Sequence, residues 1–343
     1  MKMATSAPTN NHSSEERATV ADVRICFSYT HTDAPLDGSN NFTRVLREYV
    51  SRVPGFTIAD DLHDDYDVLF MNQLSRSPGS PYALSEIRAA LSGLTKKKMV
   101  VRAINLRRNY RYRDPVSYLR HYMRDRSTLN LLNMADFVIF QSSFQKKFFD
   151  RFGYQGKNHT VIHNGASPTF LNVPAGAKRL GAREDLILVS SAMSTNSVKR
   201  QDIIAALSLL PGVKVIHSGV WPEHLDRGKV ELAGVLSHDE MAQLYERGHY
   251  FLHPAIRDVC PNSLMEGLCA GLPAIYNPGL GSGSELGGKF GIALDENDLP
   301  GTIVSARRRY EGLATALAAN RHYYSIDRAA PNYLSVFKTV AEG

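Results

Sequence analysis

Short apolar runs alternate along this chain with longer segments in which apolar residues recur at helical spacing. In the first half the runs predict strands over 23–28, 56–59, 67–71, 99–102 and 137–140, with another at 161–165 ending on an Asn-Gly turn. Helices are predicted over 41–50, 82–94 and 142–153, with a helix end over 129–136. In the first of these Phe42, Val45, Leu46, Tyr49 and Val50 share one face, and the last opens on Ser142 and closes on Gly153. The second half restarts the pattern, with strands at 186–190, 213–218, 230–233, 250–253 and 291–294 and one leading to Tyr276. Between and after them come helices at 202–210, 239–247, from residue 262 to a stop at Gly271 and Pro273, within 299–320, and at 327–340. Strands and helices alternating at these lengths imply parallel sheets covered by helices on both faces.

At 343 residues the chain is long for one core, so two domains are expected. They divide as a tail over 1–21, a first Rossmann-like domain over 22–166, a linker over 167–184 carrying Pro and Gly, a second Rossmann-like domain over 185–320, and a last helix in 321–343 that docks across both. The tail is rich in Ser, Thr, Asn and Glu, lacks the apolar stretch of a secretory signal, and is expected to be disordered. No apolar run is long enough to span a bilayer. Cys26, Cys260 and Cys269 fit neither a zinc site nor a disulfide framework, which implies a reducing compartment and a cytoplasmic protein. Cys260 reads as a small residue at a packed turn.

A net charge of +6 favours anionic partners without choosing among them. The charge concentrates in 96–126, where Lys96, Lys97, Lys98, Arg102, Arg107, Arg108, Arg111, Arg113, Arg120, Arg124 and Arg126 face only Asp114 and Asp125, with tyrosines interleaved. Three readings stay open: a surface for a polyanion or for peripheral contact with an anionic membrane, a wall of an acceptor pocket, or a solvated basic face.

The chemistry gathers at strand ends. Glu266 is expected in the first turn of its helix, where a carboxylate is favoured and can accept two hydrogen bonds from a vicinal diol such as a ribose. Asp258 sits on the turn before that helix, so both acids can face the crevice at the carboxyl ends of the strands. The glycine-rich run 279–283, with Gly281 and Ser282 at its centre, lets backbone amides approach a phosphate. The loop after strand 186–190 holds Ser191, Asn196, Lys199 and Arg200, and a lysine there is suited to a diphosphate. Gly38 and Ser39, between a strand and a helix, have the layout of a phosphate-facing loop or of an ordinary turn. Arg102 and Asn105 directly follow a strand and should point at the cleft.

Asp258, seven residues, Glu266, then Gly-Leu-Cys-Ala-Gly-Leu-Pro and a Gly-x-x-x-Glu turn ending at Glu285 resemble the donor-site signature of family 4 retaining glycosyltransferases. The resemblance implies the GT-B fold, α/β with two Rossmann-like doubly wound domains facing a central cleft. It also implies a UDP- or GDP-linked sugar as substrate, no further cofactor, and retention of anomeric configuration. By it Glu266 holds the donor ribose, Asp258 faces the transferred sugar, Ser263 lies beside the donor, and the turn 234–237 lies at the nucleobase. Pro261 stands where a backbone amide usually contacts the sugar, so that contact is either missing or replaced by the Asn262 side chain. Lys199 matches the family's lysine. Ser194 replaces an arginine and Arg200 a glycine, so Arg200 is expected to assist with the diphosphate. Gly38 and Ser39 stand in for a Gly-Gly loop, and 101–105 replaces a His-Arg-x-Asp turn on the acceptor side. The implied acceptor is a glycan, a glycolipid or another anionic molecule. No Asp-x-Asp motif stands in a strand context, so no divalent metal is required. A sugar-nucleotide epimerase or phosphorylase of the same fold, and a basic nucleic-acid or polyanion-binding protein, are the alternatives.

Overall fold

The computed structural model describes residues 22–28, 38–72, 82–92, 97–106 and 114–343, with the backbone alone at 38–41 and 84. The tail 1–21, Lys96 and the basic stretch 107–113 lie outside the described residues.

The first six strands, β1 (Val23–Phe27), β2 (Phe56–Ala59), β3 (Val68–Met71), β4 (Lys98–Arg102), β5 (Phe137–Phe140) and β6 (His159–Val161), form one parallel sheet in the order β2-β1-β3-β4-β5-β6. The other six are β7 (Leu186–Ala192), β8 (Val213–Gly219), β9 (Glu231–Gly234), β10 (Tyr250–His253), β11 (Ala274–Tyr276) and β12 (Gly291–Ala293). They form a second parallel sheet in the order β12-β11-β10-β7-β8-β9. Strand order reverses between β1 and β3 in the first sheet and between β7 and β10 in the second. Loops leaving such a pair diverge to opposite faces and leave a crevice at the carboxyl edge.

The helices are α1 (Gly38–Val50), α2 (Leu84–Leu91), α3 (Pro115–Met134), α4 (Ser143–Arg151), α5 (Gln201–Ser208), α6 (His238–Arg247), α7 (Asn262–Cys269), α8 (Gly283–Gly287), α9 (Leu299–Ala318) and α10 (Ile326–Glu342). The strands follow the apolar runs to within a few residues because burial on both faces leaves no other place for them. Ser142 caps α4 as expected, accepting from the Gln145 amide, and Ser237 with Glu240 forms a capping box on α6. Two helices depart from expectation. Helix α1 begins at Gly38, so Gly38 and Ser39 belong to its first turn and not to a loop, and their side chains lie outside the described residues. Of helix α3 only the end, over 129–136, was expected; Asp114 starts it by accepting from the Val116 and Ser117 amides, and Pro115 fits its first turn.

Four apolar clusters cover the two faces of each sheet. The linker is packed rather than free. A short 3-10 turn over Pro168–Asn172 buries Phe170 completely against Tyr245 and the core beneath α7. Arg321 clamps the same segment, donating to the carbonyls of Val173 (2.6 Å) and Leu171 (2.7 Å). The chain then crosses back, and α10 buries Ile326, Ala330, Tyr333 and Phe337 against β1, β3 and β4 of the first sheet. Gly165 sits under that crossing, where a Cβ would meet the Ile326 backbone at 2.4 Å, so only glycine fits.

Candidate active site

The switch point of the second sheet brings together the loops after β7 and β10. The first turns through Asn196, whose side chain accepts from the Val198 amide (3.1 Å), into a 3-10 turn ending at Lys199. The second carries Asp258, and the Lys199 ammonium donates to its Oδ2 at 2.7 Å. Residues 59 apart in sequence thus form a partly exposed ion pair at the mouth of the crevice. Burial pushes the Asp258 carboxyl up, but the Lys199 ammonium, as neighbouring charge and hydrogen-bond donor, outweighs it and holds it below the usual carboxylate range.

The glycine-rich turn supports this pair from behind. Ser282 donates to the Asp258 carbonyl through both its amide (2.9 Å) and its hydroxyl (3.1 Å). Gly281, at a φ of +148°, packs its α-carbon against the Asp258 and Arg257 backbone, where a side chain would be strained. The Ser282 amide was expected to face a phosphate; it is engaged with Asp258 instead, so its function here is to fix the acid.

Arg200 also differs from expectation. Its guanidinium is gripped by Glu296 (2.7 and 2.8 Å) and Asp202, which neutralises it against an anionic ligand. Its φ of 53° is the left-handed conformation that glycine adopts freely. The ion pairs with Glu296 and Asp202 hold the arginine in that conformation.

Glu266 lies one turn deeper than expected. Helix α7 opens at Asn262 after Pro261 without a side-chain cap, which makes Glu266 its fifth residue and leaves no acid in the first turn. Burial pushes its carboxyl up to about 7, with the Tyr245 hydroxyl opposing that rise. The Tyr245 hydroxyl is buried and faces the Glu266 carboxyl.

Ser263 is half-buried beside it on α7, and Ser191 is half-buried at the end of β7. Asn262 turns toward the first sheet: its Oδ1 accepts from Asn164 Nδ2 at 2.7 Å. Asn164 also donates to the Cys260 carbonyl and, through its amide, to the Cys260 sulfur. Burial pushes the Cys260 thiol up to about 12, which leaves it a packed, unreactive residue as expected.

On the first-sheet side Asn105 reaches across, its Nδ2 at 3.5 Å from the Arg257 carbonyl. Arg102 does not face the crevice. It is buried to 2% exposure and donates to Asn72 (2.5 Å), Gln141 (2.7 Å) and Asn164 (2.6 Å), with its guanidinium over the Phe42 ring. The reason is topological: β4 is not at the switch point of its sheet, so its end is closed over by the ends of β3, β5 and β6.

Two residues here were missed. His253 ends β10 beside the pair, buried, with Nε2 unpartnered, and burial pushes its imidazole down to about 4 so that it stays neutral. Its position at the carboxyl end of a switch-point strand was the available signal. Arg257 adopts a φ of 60° immediately before Asp258, and strained backbone of this kind collects at functional sites. Nothing in the sequence marked it.

Glu285 closes the two halves on one another. It accepts from the Ser143 amide (2.9 Å) and the Phe144 amide (3.2 Å) at the start of α4, and pairs with His163 Nε2 at 2.8 Å. Burial works against its charge, but His163 and the Ser143 amide outweigh it and pull the carboxyl down to about 2. A cavity of about 370 Å³ opens next to this clasp, lined by Asn164, Met265, Lys289 and Arg328 among others. Glu285→Ala is expected to loosen the halves while each keeps its fold, seen as a larger radius of gyration in small-angle scattering with an unchanged far-UV spectrum; identical scattering curves would refute it.

No protein-family model matches the chain, and no curated protein matches it. Solved structures do. Sucrose-phosphate synthase from Thermosynechococcus elongatus aligns over 93% of this chain and 99% of its own, with a TM-score of 0.65 at 14% identity. HepE of Anabaena, solved in complex with UDP-glucose, aligns over 92% and 99%, also with a TM-score of 0.65 at 14% identity. AviGT4, a glycosyltransferase involved in avilamycin A biosynthesis, aligns over 94% and 98% with a TM-score of 0.60 at 12% identity. The fold is therefore that of the GT-B glycosyltransferases, two Rossmann-like halves set edge to edge.

Proposed function

We propose that this protein is a glycosyltransferase that takes a sugar from a UDP- or GDP-linked donor, with retention of anomeric configuration and without a divalent metal. The observation that carries the reading is the Lys199–Asp258 pair, held by the Gly281–Ser282 turn at the switch point of the second sheet. HepE, of the same fold, was solved with UDP-glucose, and its likeness over nearly the whole chain supports a nucleotide-sugar here.

In this reading Lys199 meets the diphosphate and stabilises the charge that grows on it as the bond to the anomeric carbon breaks and the electron pair leaves with the phosphate oxygen. Asp258 then orients the sugar hydroxyls. Glu266 takes the ribose. With Arg200 engaged by Glu296 and Asp202, Lys199 is the cation this reading assigns to the diphosphate.

The raised pKa of Glu266 gives the proposal a signature. Only the carboxylate accepts from two ribose hydroxyls, so binding favours the ionised form and releases a proton. Donor affinity is expected to be flat above pH 7 and to fall as the pH drops through about 7, where the free carboxyl titrates. Glu266→Gln should weaken binding roughly tenfold or more and abolish the pH dependence. Calorimetry across pH with UDP-glucose and GDP-mannose checks both, and a pH-independent wild type would remove Glu266 from the ribose. A thermal-shift screen of nucleotide-sugars comes first, since a ligand at a hundredfold its Kd stabilises by about 2.7 kcal/mol. Product analysis with and without acceptor separates transfer from epimerisation or phosphorolysis, and activity abolished by chelator would refute metal independence.

A further inference from the structure

Helix α3 carries its apolar residues on the wrong side. Leu129, Leu131 and Leu132 are buried in its second half, but in the first half Val116, Leu119 and Met123 are 65%, 61% and 57% exposed. At 100° per residue these three form one ridge along the outermost face, opposite the buried Asp125. Arg120 and Arg124 border the ridge on one side and Arg126 on the other, all exposed. Tyr122 is exposed on its flank and Tyr118 farther round the helix. The acids nearby are withdrawn: Asp114 is committed to the helix cap and Asp125 is buried.

We propose that the first two turns of α3 are a docking surface for an anionic lipid bilayer, with Val116, Leu119 and Met123 entering the headgroup boundary and the three arginines meeting lipid phosphates. An aliphatic ridge bordered by arginines fits such an interface. A nucleic acid would satisfy the arginines but leave the aliphatic residues in water. A second copy of this chain would bring the same positive charges face to face. Topology adds a consequence: α3 joins β4 to the parallel β5, so it runs back from the carboxyl edge of the first sheet and its first turns lie toward that edge. An enzyme docked this way presents its crevice to the membrane, which points to a lipid-borne acceptor; that consequence rests on the transferase reading, whereas the docking does not.

Co-sedimentation of the full chain with vesicles tests it. Binding is expected to vesicles of equal parts phosphatidylcholine and phosphatidylglycerol and to be lost on phosphatidylcholine alone. Each arginine near such a surface contributes about fivefold in affinity, so R120Q/R124Q/R126Q should weaken binding about a hundredfold. L119D/M123D should abolish it while leaving the donor-induced thermal shift intact, because neither residue touches the donor crevice. Equal binding to neutral vesicles, wild-type binding by L119D/M123D, or a dimer in solution that this variant converts to monomer would each overturn the proposal. So would binding to poly(U) in place of vesicles that is unaffected by L119D/M123D. Loss of the thermal shift in the wild type would instead count against the transferase reading and leave the docking standing.

Discussion

Lys199→Ala is expected to lower kcat for sugar transfer, or for hydrolysis of the donor where the acceptor is absent, by about a hundredfold to a thousandfold. The ammonium donates to Asp258 at 2.7 Å and stands past the carboxyl end of β7, where the switch point aims it at any ligand entering the crevice. A cation that only paired with Asp258 would be worth little at this exposure. One that meets a departing diphosphate is worth far more, because the charge it faces is largest in the transition state. KM and kcat divide the two possibilities. Loss confined to KM would mean that Lys199 binds the ground state alone; unchanged kcat and KM together would remove it from the site. Asp258→Asn makes the complementary case. It frees Lys199 from its partner, so nucleotide alone should bind at least as well as to the wild type, while transfer falls because the sugar is no longer oriented. Both variants should melt close to the wild type, since each removes one member of a pair that water already reaches.

Much of this site was legible because its parts are local. Lys199 follows a strand by a few residues, Asp258 precedes α7, and the glycine run follows β11; strand-end position and residue type were enough to put all three at one edge. The depth of Glu266 was not legible, because Pro261 ends the turn and starts the helix without a side-chain cap, and nothing in the sequence distinguishes its first turn from its second. Arg200 was misread for a different reason. Its identity as a cation is plain, but Glu296 lies 96 residues away, and only the fold reveals that the charge is already answered. The first part of helix α3 escaped because its apolar residues point to two sides, in toward the core at Leu129 and Leu132 and out to solvent at Val116, Leu119 and Met123. A periodicity that serves two surfaces looks like none. The linker was judged by its Pro and Gly content, which conceals the single residue, Phe170, that anchors it.

Arg102 is where sequence and structure disagree most, and its substitution should have the largest effect on stability. A basic residue just past a strand was expected to meet the acceptor; it is instead the centre of a buried amide network with no carboxylate in it. Asn72, Gln141 and Asn164 each turn a carbonyl oxygen toward the guanidinium, and they come from the ends of β3, β5 and β6, which flank or follow β4. Arg102→Ala removes three charge-assisted hydrogen bonds to buried amide oxygens, at about 1 kcal/mol or more each, so a loss of about 3 kcal/mol is expected. In a chain of this size that lowers Tm by roughly 4 °C, which calorimetry would register plainly. Arg102→Lys should rescue little, because an ammonium cannot span three acceptors from one plane or lie flat over Phe42. The effect should also reach the second sheet. Asn164 is shared between Arg102 and the Asn262 and Cys260 positions at the start of α7, so releasing it frees the helix that carries Glu266. Donor binding by Arg102→Ala at a temperature where it is still folded should therefore weaken although Arg102 lies too deep to touch the donor. A variant that melts like the wild type would mean that the amides find other partners, and the network would then be a consequence of packing and not one of its causes.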